Sequence, residues 1–133
     1  MQPIKFEFDV STVSEANCSD HWQKKSKRHQ QQQFFTRLAF KKYVENLILP
    51  CEIIMTRLAP NFLDEEDNLR MSLKWIKDEL GACILPDKVV NYYTAKGKFK
   101  QNKGHADSDP RIKWSYAQEK RQKKGVCIII MPM

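Results

Sequence analysis

The run VCIIIMPM at residues 126–133 constrains this chain more than any other stretch. A near-continuous apolar strand of this kind belongs inside a sheet, because an edge or a solvated face would expose half of it. Such a strand needs partners. IKFEFDV at residues 4–10 alternates apolar and charged positions, with Ile4, Phe6, Phe8 and Val10 on one side, the pattern of a half-buried strand. CEIIMTRLAP at 51–60 reads as a strand by its β-branched content and ends at Pro60. DPRIKWSYAQEK at 109–120 reads as another, with Ile112, Trp114 and Tyr116 on one face and Arg111, Lys113 and Ser115 on the other. QEKRQKKG at 118–125 reads as a basic hairpin turn into the last strand.

Two helical patterns lie between the strands. The first spans residues 20–47, with Ser19 or Asp20 as its cap. In its second half Phe40, Tyr43, Val44 and Leu47 form an apolar stripe, and Pro50 stops it. The second opens near residue 64, buries Leu69, Leu73, Ile76 and Leu80 on one side, and closes at Gly81 as a C-cap. Residues 81–106 are a variable insertion: KVVNYY reads as a short strand or a helical turn, and AKGKFKQNKGH as a basic loop. The expected fold class is α+β, a small mixed sheet packed with two main helices in the order β-α-β-α-β-β. A chain of 133 residues fits one domain.

Four cysteines (Cys18, Cys51, Cys83, Cys127) are scattered without a CxxC pair, which argues against a zinc ribbon. Cys51 and Cys127 sit in apolar strands and read as reduced core thiols. No apolar window is long enough to span a membrane, and residues 1–10 do not resemble a signal peptide, so the expectation is a cytoplasmic protein.

The formal net charge is +7, which favours an anionic partner, most often nucleic acid. Lys24, Lys25, Lys27, Arg28 and His29 cluster in the first half of the first helix, ahead of four glutamines. This 20–33 segment is either a solvated helical face or a basic arm that contacts phosphates. Against this positive background, Asp64, Glu65, Glu66 and Asp67 stand side by side. The helix dipole and a capping box account for one or two of these acids, with Asp64 and Asp67 in the box spacing. Four adjacent carboxylates repel one another, and a hard divalent cation relieves that repulsion. Beyond them, Asp67, Arg70, Lys74 and Asp78 fall along one helical face. A second acidic point, Asp107 and Asp109 in HADSDP, precedes the strand at Arg111, where it reads as catalytic acids or as an Asx-type turn. His105 reads as an exposed loop histidine.

LDEEDNLRMSLKWIKDELG, ADSDPRIKWSYAQEK and HWQKKSKRHQQQQ together resemble the RusA family of Holliday-junction endonucleases, in the form carried by phages and prophages. The match covers roughly residues 20–42, 51–80 and 104–131, and it is specific in the two acidic motifs. The resemblance implies a RusA-like fold, a homodimer and Mg²⁺-dependent cutting of branched, four-way DNA in recombination and repair, with Mn²⁺ as an alternative metal. It implies metal ligands at Asp67, Asp107 and Glu65 or Asp64, with Asp109 as the acid of the D-P-R motif. Lys74, matching K-x-x-x-D with Asp78, would meet the phosphate. DNA contacts fall to Lys24, Lys25, Lys27, Arg28, Arg70, Lys98, Lys100, Arg111 and Lys113. A bacterial host cytoplasm is the implied setting. The connection from Leu80 to Asp107 is longer than in compact family members. A DNA-binding module that does not cut, and an interaction protein without a DNA role, are the competing readings.

Overall fold

The computed structural model describes residues 2–15, 18–64 and 67–133. The chain runs β1 (Ile4–Phe8), α1 (Trp22–Tyr43), β2 (Cys51–Ala59), α2 (Asn68–Ser72), α3 (Lys74–Ile84), β3 (Val90–Tyr93), β4 (Phe99–Asn102), α4 (Gly104–Asp107), β5 (Ile112–Lys120) and β6 (Gly125–Pro132), with a 3-10 turn at Pro86–Lys88. It is a mixed α+β structure.

β6 takes the place that its composition demands. It lies between β1 and β2, antiparallel to both, in a sheet ordered β1-β6-β2-β5. Phe6, Ile53, Met55, Ile128 and Ile130 are neighbours across these ladders and form the core with Leu69, Leu73, Ile76 and Leu80. Burying side chains of this size contributes about 1.5–3 kcal/mol each. The alternate residues Ile54, Cys127 and Ile129 belong to the opposite face of the sheet. Cys51 and Cys127 are buried free thiols, and burial pushes both above the usual thiol range.

The basic turn after β5 is not a hairpin. β5 is parallel to β2 and β6 antiparallel to it, and the two flank β2 on opposite sides. Residues 121–124 therefore cross the end of β2, where the Arg121 amide donates to the Ala59 carbonyl at 3.0 Å. Arg121 also pairs with Glu7 on β1 and with Glu119, which fastens the crossing at both sides.

The helices depart from the expected boundaries for identifiable reasons. α1 ends at Tyr43, with Val44 extended, seven residues before Pro50. Its cap is His21, whose Nδ1 accepts from the Gln23 amide, while Asp20 pairs with Arg28. The buried residues of α1 are Gln32, Thr36 and Ala39. The basic 20–33 segment is continuous with this docked helix, and Arg28 ties it to Glu15. The expected second helix is two, joined at Leu73. Ser72 Oγ donates back to the Leu69 carbonyl at 2.7 Å, and the Leu73 amide shifts to the Arg70 carbonyl. Such local side-chain bonds compete with the helical ladder.

Gly81 does not end the helix, because α3 runs on to Ile84. Its role is close approach: a Cβ there would meet the Asp107 backbone nitrogen at 3.0 Å and its Cα at 3.1 Å. The 81–106 segment is also more ordered than a loop. After the 3-10 turn it forms the β3–β4 ribbon, whose turn carries Gly97 at φ +79°, and then α4. No helix among the described residues is long and apolar enough to cross a membrane.

Candidate active site

Three helices and the ribbon enclose an open cavity of about 490 Å³. α3 contributes Lys74, Trp75 and Asp78, which share a face at i, i+1 and i+4. α1 contributes His29 and Gln33, α4 contributes Asp107, and the ribbon contributes Tyr92, Gln101 and Asn102. Gly81 lets α4 sit against α3, and this brings Asp107 to Asp78, one turn earlier on the same helix.

Asp78 and Asp107 are hydrogen-bonded through their side chains. Two carboxyl groups at that separation do not ionise together. Burial, then the hydrogen bond and the charge of Asp107, push Asp78 up to about 7, against the opposing pull of Lys74 and Lys77. Near neutral pH Asp78 is thus partly protonated, beside Asp107. A divalent cation would take that proton's place, and two carboxylates suit Mg²⁺, which keeps most of its waters. Among the described residues no three His, Cys, Asp or Glu side chains converge as a ready-made metal cage.

His29 stacks on Trp75 with ring centroids 4.2 Å apart. Burial, and then Lys103, lower its pKa, so the imidazole is neutral at neutral pH. Lys103 is held by Glu79, a buried carboxylate that Arg37 of α1 also reaches at 2.9 Å. Glu79 therefore ties α1, α3 and the segment leading into α4 around the cavity.

β5 grips the acidic segments with one face. Trp114 Nε1 donates to the Asp107 carbonyl at 2.8 Å. The Tyr116 ring lies under the Arg70 guanidinium, 5.2 Å from its centroid. Gln118 accepts from the Leu63 amide at 2.8 Å and donates to its carbonyl at 2.7 Å. Positions 114, 116 and 118 alternate along the strand, so one rigid edge sets α4, α2 and the chain before the acidic run. Replacing Trp114 with Phe removes one hydrogen bond, about 1 kcal/mol. Releasing Asp107 from this anchor should also move the Asp78 titration, which depends on the Asp107 side chain. Urea melts read the first effect and the pH dependence of stability the second; an unchanged pH dependence would discard this positioning role.

The sequence candidates divide sharply. Lys74 and Asp107 line the cavity together with Asp78. Asp64, Asp67 and Asp109 do not line it. Asp64 caps α2: its carboxylate accepts from the Asp67 and Asn68 amides and from Asn68 Nδ2, and these bonds hold it below the usual range. Asp67 is exposed at the start of α2. Asp109 accepts from the Arg111 amide and guanidinium, an Asx-type turn that lowers it to about 2. Glu65 lies outside the described residues.

The basic candidates are also unequal. Arg28 is bound by Glu15 and Asp20, and Lys25 donates to the Glu15 carbonyl. Arg111 is paired with Asp109, and Lys113 lies 3.6 Å from Glu52. Lys24 and Lys27 on α1, and Lys98 and Lys100 on the ribbon, are exposed. The residues that sequence patterns missed are Trp75 and Glu79, while His29 and Lys103 were legible only as members of basic segments. Their contacts span distant parts of the chain, and no local periodicity signals them.

The shared proton makes stability pH-dependent. Asp78 is raised from 3.8 to about 7, so the folded state binds more protons than the unfolded state between those values. Its stabilising protonation is fully present below pH 3.8 and is lost as pH rises towards 7. In chelator, urea midpoints should fall across that window with a linkage of about one proton, and Asp78→Asn should flatten the slope. Mg²⁺ should raise the melting temperature more at pH 8 than at pH 5, where it competes with the proton.

No family model, no curated protein and no solved structure matches this chain.

Proposed function

We propose that the chain is a divalent-metal-dependent endonuclease for branched DNA, cutting four-way junctions as the RusA-like motifs imply. The observation that supports this most is the proton-sharing Asp78–Asp107 pair in a cavity flanked by Lys74. A bound Mg²⁺ or Mn²⁺ would supply Lewis-acid chemistry, lowering the pKa of a coordinated water and offsetting charge on the scissile phosphate. Asp78 and Asp107 would hold it once Asp78 releases its proton. Lys74 brings an ammonium to the phosphate as a point charge. His29, neutral and fixed by its stack on Trp75, offers one N–H and one lone pair to the same cavity. Trp114 and Glu79 hold these groups in place without touching DNA.

Cutting two strands symmetrically calls for two sites, and a two-fold homodimer supplies them. A bacterial cytoplasm, in a phage or prophage setting, is part of the same proposal. The test is cleavage of an end-labelled four-way junction, and of a duplex of equal length, with Mg²⁺ or with chelator. Paired Mg²⁺-dependent nicks in the junction alone are the expected result. Tight junction binding without cutting in Mg²⁺ or Mn²⁺ would leave the non-cleaving module. No DNA binding at low salt would reject both.

A further inference from the structure

The ribbon formed by β3 and β4 is unlike the rest of the molecule. Every one of its strand residues is exposed. Two-stranded ribbons are marginal in water, and apolar side chains on them gain nothing by facing solvent. Yet this one carries Tyr92, Tyr93 and Phe99, with Tyr93 73% and Phe99 54% exposed. Tyr93 and Phe99 are cross-strand partners in the last pair before the turn, and their rings meet edge to face at 5.6 Å. The turn is built to stand: the Thr94 amide donates to the Lys98 carbonyl, Thr94 Oγ1 accepts from the Lys98 amide, and Gly97 takes the left-handed conformation. Tyr92, with Gln101 and Asn102 nearer the base, lines the cavity that holds Asp78 and Asp107.

The charge around these rings is of one sign. Lys96, Lys98, Lys100 and Lys103 fall within or beside the ribbon, and no acidic residue occurs between Lys88 and Asp107. Flat aromatic faces interleaved with lysines suit nucleic acid whose bases are unstacked: the rings take the bases and the ammonium groups take the phosphates. A protein interface of this size would not be so rich in lysine, a residue depleted from such surfaces.

We propose that the ribbon is a base-stacking wedge, which places Tyr93 and Phe99 against unpaired or opened bases while its base delivers the adjoining phosphodiester to the cavity. This deepens the proposed function and rests on it for the choice of DNA. Its distinguishing property is preference for DNA with openable bases over intact duplex, since stacking needs an accessible base face.

The test uses the full chain in Ca²⁺ or chelator, so that binding is read without cutting. The probes are a four-way junction with 2-aminopurine at the branch, a duplex of equal length, and vesicles containing anionic phospholipid. Wild type should raise the branch fluorescence and bind the junction more tightly than the duplex. Tyr93→Leu with Phe99→Leu keeps apolar bulk on the ribbon but removes the stacking faces. It should abolish the fluorescence change and weaken junction binding on the order of tenfold or more, with duplex binding unchanged. Lys96→Gln with Lys98→Gln should weaken junction and duplex alike and reduce the salt slope. An unchanged junction affinity in the leucine variant, an equal loss on junction and duplex, or a loss confined to vesicle binding would each overturn the wedge. The cleavage assay is separate: a wild type that opens branch bases but never cuts in Mg²⁺ supports the wedge and rejects the nuclease. Normal cutting by the leucine variant with unchanged affinity does the reverse.

Discussion

Replacing Asp107 with Asn should cut Mg²⁺-dependent cleavage by about 10³-fold or more and leave junction binding within a few-fold of wild type. The size follows from what the carboxylate is asked to do. A metal offsets several kcal/mol of transition-state charge, and each tenfold in rate is about 1.4 kcal/mol. Asn is isosteric, and the Asp107 contact that fixes α4 is its backbone carbonyl, which accepts from Trp114 Nε1 and which the substitution leaves alone. Stability should move the other way from activity. Asp78 no longer faces a like charge, so the variant should melt at or above the wild-type temperature at pH 8 in chelator. Asp78→Asn should give a similar loss of cutting. The double variant should be little worse than either single one, because the two groups act as a unit. Asp67→Asn is the informative contrast: Asp67 is the first choice from the motif, yet it does not line the cavity. Full activity in Asp107→Asn would remove the cavity as the active site. A loss in Asp67→Asn alone would move the site to the start of α2.

Much of the architecture was legible because it rests on periodicity. The apolar continuity of β6 placed it inside the sheet, and alternation in β1 and β5 identified their buried faces. Leu69, Leu73, Ile76 and Leu80 were read as one stripe and are all buried. What failed depends on contacts between distant residues or on competing local bonds. Ser72 breaks the second helix through its own hydroxyl. Gly81 resembled a C-cap because glycine also suits a close crossing, and only the position of Asp107 distinguishes the two. The turn at 121–124 resembled a hairpin because loop composition does not reveal which strand pairs with which. At the site, Lys74, Asp78 and Asp107 were legible as motif residues. Their grouping apart from Asp64 and Asp109 was not, since a capping acid, a turn acid and a cavity acid share one letter. Glu79 drew no attention at all, being one more acid in an acidic, amphipathic helix.

Glu79→Ala should destabilise the protein by about 3–5 kcal/mol, the cost of leaving a buried ion-pair partner uncompensated. Glu79 is 3% exposed and accepts from both Arg37 and Lys103. The Lys103 side chain is 17% exposed, so without Glu79 its ammonium keeps little access to water, whereas Arg37, at 51%, can turn outward. The penalty therefore falls mainly on Lys103, beside the cavity. Native stability is of order 5–15 kcal/mol, so a loss of this size should be plain in urea midpoints. The partner substitution separates pairing from packing. Glu79→Leu with Lys103→Met replaces the pair by apolar groups of similar volume, and such replacements are often neutral or stabilising. It should recover most of the lost stability, while His29 loses Lys103, which lowers its pKa, together with Glu79, which raises it, so its titration should rise only slightly. NMR titration of His29 reads that shift directly. A cost below about 1 kcal/mol for Glu79→Ala, or a double variant no more stable than the single one, would mean that the three elements are held by packing alone.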